Sequence, residues 1–379
     1  MQRIVIGMMD GFGMDYYEQT PLPGLKSLAR AGFFKRVGGV FPSVTNVNNV
    51  SIACSAWPKE HGITANSYFD EANGEARYMN AADMIRAETV FQRVARSGVR
   101  CALLTAKRKS VELFQRHVDL AVTAEDPPLE FIERYGKPAH IYRREINYWL
   151  WEVAGDLLKN RPQFGLIYVH TTDYPMHTWA PEEPESLQHL MRLDELIGAA
   201  VAAAPDAAFL LTADHGMNYK TQCWDLTRIC EEAGVPIRFA LSPERDYYIR
   251  HHRNFTGCSW VWLHAPGDFQ RVAMIIDGLD GVDAIIGRDD AARCYHQIPE
   301  RLGDMVILGD RHTMFGDLDS AHEKLGSNYR AHGSNYEMDL PLIVFNWQEK
   351  LPGPERFQKN KDLAHFVASG LRPIAPESL

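Results

Sequence analysis

Five short apolar runs, at residues 3–9, 33–40, 99–105, 164–170 and 207–213, each end in a cluster of polar, chemically capable side chains. Runs this short, closed by turn residues, read as strands. Segments of helical period lie between them. One holds Leu25, Leu28 and Ala29; a second holds Val90, Phe91 and Val94, stopped by Gly98; a third holds Leu187, Leu190, Met191, Asp194 and Ile197, opened by Pro184. Strand–helix alternation predicts an α/β fold whose mostly parallel sheet is covered by helices on both faces. With 45% hydrophobic and 23% charged residues, the chain can bury such a core and is not of disordered type. Open sheets of this kind bind ligands beyond the carboxyl ends of their strands. The five polar clusters are therefore expected to converge on one edge.

After about Trp224 the texture changes to short, turn-rich runs such as Trp260-Val261-Trp262-Leu263, and strand character returns at 340–345. We expect a catalytic core of residues 1–233 and 326–379, interrupted by an α+β cap at 234–325. No window approaches the roughly 20 apolar residues of a membrane-spanning helix, and the apolar run at the N-terminus is short and closed by Asp10. Six cysteines without a C-x-x-C pair read as free thiols. Forty Lys and Arg against 49 Asp and Glu give a formal charge of −9, which argues against a general nucleic-acid binder. A cytoplasmic protein with neither a nucleic-acid nor a membrane partner is expected.

The polar clusters carry a recurring pair of residue types. Asp10 follows the first run, Asp173 and His177 follow the fourth, and Asp214-His215-Gly216 follows the fifth; His332-Gly333 precedes the last. An Asp after a strand is commonly a helix cap and a lone His is commonly structural. Six such residues, each at a strand end or in a loop, instead suggest oxygen and nitrogen ligands for Zn²⁺, Mn²⁺ or Fe²⁺. They are too many for one tetrahedral ion and suit two ions about 3.5–4 Å apart. Thr45, before a helical stretch, reads as an N-cap, as a nucleophile, or as both, since a helix N-terminus favours a phosphoryl group. His170 reads as structural, and His251-His252-Arg253 as insert residues able to cover a substrate.

These residues resemble the metal-ligand and nucleophile series of the alkaline phosphatase superfamily, and most of all its nucleotide pyrophosphatase/phosphodiesterase branch. The segment His61-Gly62-Ile63-Thr64-Ala65-Asn66 is similar to that branch's motif with a phosphate-contacting Asn. Within the branch, Thr45-Asn46-Val47-Asn48-Asn49, Thr105-Ala106-Lys107-Arg108-Lys109, Asp214-His215-Gly216-Met217-Asn218, His251-His252-Arg253-Asn254-Phe255 and Arg301-Leu302-Gly303-Asp304 resemble the phosphonoacetate hydrolases. The resemblance implies an alkaline-phosphatase-like core and two Zn²⁺ ions per chain, with Mn²⁺ or Fe²⁺ as alternatives. Asp10, Asp214, His215 and the Thr45 oxygen would hold one ion, and Asp173, His177 and His332 the other. It implies Thr45 as nucleophile, a phosphothreonine intermediate, a phosphonyl contact from Asn66, and a substrate carboxylate bound by Lys107 and Lys109. The partner so implied is a small anionic phosphonate, and a homodimer is compatible with the family. Between the two lysines, where the family commonly has an acidic residue, this chain has Arg108. Two alternatives share the same metals: a phosphodiesterase or nucleotide pyrophosphatase, and a hydrolase of another small carbonyl phosphonate.

Overall fold

The computed structural model describes residues 2–248 and 250–367. Its central sheet has seven strands: β1 (Ile4–Met8), β2 (Phe33–Gly38), β3 (Arg100–Thr105), β4 (Leu120–Thr123), β5 (Phe164–His170), β6 (Ala208–Thr212) and β7 (Asp339–Phe345). They lie in the order β2-β7-β6-β1-β5-β3-β4. Strands β1, β3, β4, β5 and β6 pair in parallel. The exception is β7, antiparallel to both β6 and β2. Two reversals restore direction, so β2 points the same way as β6. The carboxyl ends of β1, β2, β3, β5 and β6 consequently share one edge, as expected from the sequence. The α/β class is borne out, and the run at 340–345 proves to enter the sheet from that same edge.

Burial explains the composition of the strands. Every side chain of β1, β5 and β6 is buried, which requires cover on both faces and accounts for continuous rather than alternating apolar sequence. One covering helix, Glu145–Asn160, brings Trp151 so close to β1 that a Cβ on Gly7 would stand 3.1 Å from its ring. Among the described residues no helix is long and apolar enough to cross a membrane.

A second, antiparallel sheet lies within the expected insert. It joins Phe239–Leu241, Cys258–Trp262, Met305–Gly309 and Val282–Gly287. The division of the chain at 233 and 326 stays a proposal. It keeps this sheet whole, whereas Gln222–Trp224 pairs across it with Thr313–Phe315 and His322–Lys324.

One long-range contact replaces a missing local cap. Helix α1 (Pro23–Ala31) starts from Leu22 in the left-handed region, with no side chain of its own capping the first turn. Asp194, on helix α2 (Pro184–Ala203), accepts the Gly24 and Leu25 N–H groups at 2.8 and 2.6 Å. Both donors would otherwise be orphaned. Asp194→Ala should therefore lower stability by about 1–3 kcal/mol in denaturant unfolding. An unchanged midpoint would show that water serves those N–H groups equally well.

Candidate active site

The shared edge of the sheet gathers the expected residues. Asp10 leaves β1 with its N–H on Thr171 Oγ1 at 2.9 Å. Asp214 leaves β6, and its Oδ1 accepts the N–H groups of Gly11 at 3.0 Å and of His215 at 2.9 Å. Gly11 adopts φ +77°, and a Cβ there would come within 3.1 Å of Asp173 and Met176, so the turn between two ligand loops needs glycine. Asp173 precedes the short helix Tyr174–Thr178, which carries His177.

Among the described residues, two groups offer ligand atoms within 4.8 Å of one another: Asp10, Asp214 and His215, and Asp173, His177 and His332. All six are buried. The rings of His215 and His332 stack with centroids 3.6 Å apart, so the groups are neighbours.

The imidazole orientations test whether these groups fit a cation. Nδ1 faces a backbone carbonyl in each case: Arg330 at 2.7 Å for His177, Gly216 at 3.0 Å for His215, and Ser43 at 2.7 Å for His332. A carbonyl only accepts, so Nδ1 carries the proton in all three neutral rings. The Nε2 lone pairs then face carboxylate oxygens. His177 lies 3.0 Å and His332 3.7 Å from Asp173 Oδ2, and His215 lies 3.4 Å from Asp214 Oδ2. Lone pair against carboxylate is repulsive unless positive charge stands between them. His332 Nε2 and Asp214 Oδ2 are buried without a hydrogen-bond partner. The donor set and its outer hydrogen bonds thus suit divalent metal ions.

Burial and mutual charge move these groups far from their ordinary titration ranges. Burial, and then the Asp10 charge, push Asp214 well above the usual carboxyl range. Burial, and then the neighbouring His215, hold His332 well below the usual imidazole value. Burial also opposes ionisation of Asp173, but Lys107 and then His177 outweigh it and hold that carboxyl low.

Thr45 is the first residue of helix Thr45–Cys54, whose cap is Val44 without a side-chain bond. The N-cap reading of Thr45 is corrected: its hydroxyl is not used for capping. Oγ1 instead lies 3.4 Å from Asp10 Oδ1 and 3.4 Å from His215 Nε2. The chain direction explains this, since a residue one position inside the helix turns its side chain back toward the sheet edge.

Both lysines are buried, and Lys107 lies beside these groups. Lys107 Nζ spans them, 2.8 Å from Asp10 Oδ2 and 3.1 Å from Asp173 Oδ1. Lys109 pairs with Asp246. Asn66 accepts the Asn46 N–H at 3.1 Å, and its Nδ2 lies 3.4 Å from Asp246 Oδ2. Arg108 points away, exposed, toward Glu112 at 4.0 Å. His170 Nδ1 is held by Asn49, Thr105 and Ser110 at 3.0–3.2 Å, consistent with its structural reading.

The insert covers the site with residues of one segment. His251 Nε2 lies 3.7 Å from Asp173 Oδ1, and His252 Nε2 lies 3.9 Å from Glu244 Oε1. Glu244 also reaches to 3.9 Å from His332 Nε2. Glu244 and Asp246 escaped the sequence reading. They sit in a turn without periodicity, and only their placement opposite Lys109, Asn66 and His332 marks them.

The family described as type I phosphodiesterase / nucleotide pyrophosphatase matches residues 4–335. This chain belongs to that family. Phosphonoacetate hydrolase from Sinorhizobium meliloti, solved with phosphonoformate and with phosphonoacetate, superposes with a TM-score of 0.85. It is 25% identical, over 98% of this chain and 96% of that one. Venom phosphodiesterase from Naja atra is 22% identical over 56% of this chain and 26% of its own length. Human bis(5'-adenosyl)-triphosphatase is 24% identical over 58% of this chain and 48% of its own. The chain thus spans half or less of these two curated relatives. The resemblance drawn from Asp10, Thr45, Asp214 and His332 is borne out for family and fold.

Metal removal has a defined consequence. Chelator-treated protein should take up two equivalents of divalent metal in a calorimetric titration. Each should add about 2.7 kcal/mol of stability at a free concentration 100-fold above its Kd. His332→Ala should abolish one equivalent; loss of neither would remove His332 from the ligand set.

Proposed function

We propose that this protein is a metal-dependent hydrolase of phosphorus bonds, acting on the carbon–phosphorus bond of phosphonoacetate to release acetate and phosphate. The observation that carries the substrate is the pair of buried lysines, Lys107 between both ligand groups and Lys109 two residues on, paired with Asp246. A small dianion with a second acid at its far end matches such a site, and the fold-wide likeness to phosphonoacetate hydrolase supports the choice.

Two Zn²⁺ ions, held in our reading by Asp10, Asp214, His215 and the Thr45 oxygen, and by Asp173, His177 and His332, would supply Lewis-acid stabilisation of charge on the phosphonyl oxygens. Thr45 Oγ1 attacks phosphorus in line and the P–C bond breaks. Its electron pair is delocalised into the adjacent carboxylate. Lys107 and Lys109 hold that enediolate-like charge as it forms, which is stabilisation specific to the transition state. Asn66 donates to a phosphonyl oxygen. The carbanion takes up a proton, balancing the one released by the Thr45 hydroxyl, to give acetate; water then cleaves the phosphothreonine, returning the Thr45 hydroxyl and releasing phosphate. The insert, through His251 and His252, limits access of bulk water. The six unpaired cysteines support a cytoplasmic setting.

One observation favours the diesterase alternative. Tyr142 and Tyr174 lie 5.2 and 6.0 Å from His251, giving an aromatic face on which a nucleobase could stack.

Phosphate release decides between them. Phosphonoacetate should be cleaved in preference to phosphonopyruvate, phosphonoacetaldehyde and an aryl phosphodiester, and chelation or Thr45→Ala should abolish turnover. Lys109→Ala should reduce kcat/KM by about 2.7–4 kcal/mol, or about 10²–10³-fold. Preference for the diester by orders of magnitude would overturn the substrate assignment.

A further inference from the structure

The ion pair of Lys220 with Glu337 lies beyond the residues used above. Lys220 Nζ and Glu337 Oε1 are 2.9 Å apart, and both side chains are fully buried. Taking two charges out of water is costly, and hydrophobic replacements of similar volume are often equally stable. Such a pair is therefore weak evidence for stability alone, and its location has to be considered.

The Glu337 carboxylate accepts from every side. Oε1 takes Lys220 and the Asn218 amide at 2.6 Å. Oε2 takes the Ser334 N–H at 2.9 Å and the Ser334 hydroxyl at 2.6 Å. Ser334 in turn accepts, on its carbonyl, the Ser43 hydroxyl at 2.7 Å. Ser43 Oγ accepts the Gly333 N–H at 3.0 Å, and the Ser43 carbonyl accepts His332 Nδ1–H at 2.7 Å. Hydrogen bonds joined through the residues Ser334 and Ser43 thus link a buried ammonium to the ring nitrogen that orients His332. Ser43 lies two residues before Thr45.

The loop needs such restraint. Gly333 adopts φ +101°, and a Cβ there would stand 2.1 Å from Thr256 Cγ2. Only two residues, Arg330 and Ala331, pair as strand before His332. Their partners, Asn218 and Tyr219, adjoin Lys220 on the strand that follows Asp214 and His215. The ion pair therefore joins the segment behind one ligand group to the loop that delivers the last ligand of the other.

We infer that Lys220 and Glu337 are positioning residues that set the aim of His332, and through it the metal affinity of the Asp173–His177–His332 group. The inference rests on the metal-binding reading of that group. Neither side chain touches a ligand atom, so their effect travels through Ser334 and Ser43. Loss of an outer hydrogen-bonding partner of a metal-ligating residue typically weakens metal affinity about 10–100-fold.

Zinc titration of chelator-treated protein against a competing chromophoric chelator tests this. His332→Ala identifies which of the two wild-type equivalents belongs to the second group. Glu337→Gln should weaken that equivalent by about 10–100-fold and leave the other unchanged. Lys220→Arg, which keeps the charge, should weaken it less. Unchanged affinity at both sites in Glu337→Gln would overturn the inference. Equal weakening of both, in step with a lowered melting temperature of the metal-free protein, would also overturn it, because that is the signature of a general scaffold role. If Glu337→Gln does not fold, Ser43→Ala retains the ion pair and removes the hydroxyl that joins the Ser334 carbonyl and the Gly333 N–H. It should weaken the same equivalent, and no change would count against the proposal. Wild-type protein that binds no zinc would overturn the underlying metal reading and this inference with it.

Discussion

Three hydrogen bonds from imidazole Nδ1 to backbone carbonyls govern the site. They belong to His177, His215 and His332, and each leaves an Nε2 lone pair facing buried carboxylates. The acceptors Arg330, Gly216 and Ser43 are main-chain groups held by the sheet and its loops. Ring orientation is thus a consequence of backbone placement, which a rigid scaffold controls better than a side chain can. The rest of the architecture serves that placement: a buried sheet with a common carboxyl edge, a glycine turn at Gly11, and a reversed strand bringing His332 in from the opposite direction.

Such placement carries an electrostatic penalty. Asp10, Asp173 and Asp214 are buried within one small region, where their charges repel and desolvation disfavours ionisation. Lys107 partly offsets this, sitting between Asp10 and Asp173, and its own ammonium is raised well above the usual lysine range by those carboxylates against the cost of burial. The protein is acidic overall at −9, so any cationic character at this edge has to be local. The buried Lys107 and Lys109 provide it where the surface does not.

The stretch expected as an insert adds cover over this edge. Its segment through Glu244, Asp246, His251 and His252 packs over the second ligand group and Lys109. That segment has neither strand nor helix period, and its residues meet the core only through tertiary packing. Their absence from the sequence reading has the same origin as the N-cap reading of Thr45. Local pattern reports what a residue does for its own element and is silent about what faces it.

The strands at 3–9, 99–105, 164–170 and 207–213 were legible because burial on both faces demands unbroken apolar sequence. The candidate ligands Asp10, Asp173, His177, Asp214 and His215 were legible because a parallel sheet delivers strand ends to one edge. His332 was legible through its motif, and the reversed strand after it explains how a distant residue joins that edge. Sequence by itself therefore determined the fold class, the family and the identities of the residues that meet. Tertiary structure alone decided the orientation of each imidazole, the position of Lys107 between the two groups, the outward turn of Arg108, and the buried tie from Lys220 to the His332 loop. Those features depend on contacts between residues up to 291 positions apart, such as Ser43 with Ser334. Hydrophobic periodicity acts along the chain, whereas these hydrogen bonds act across it.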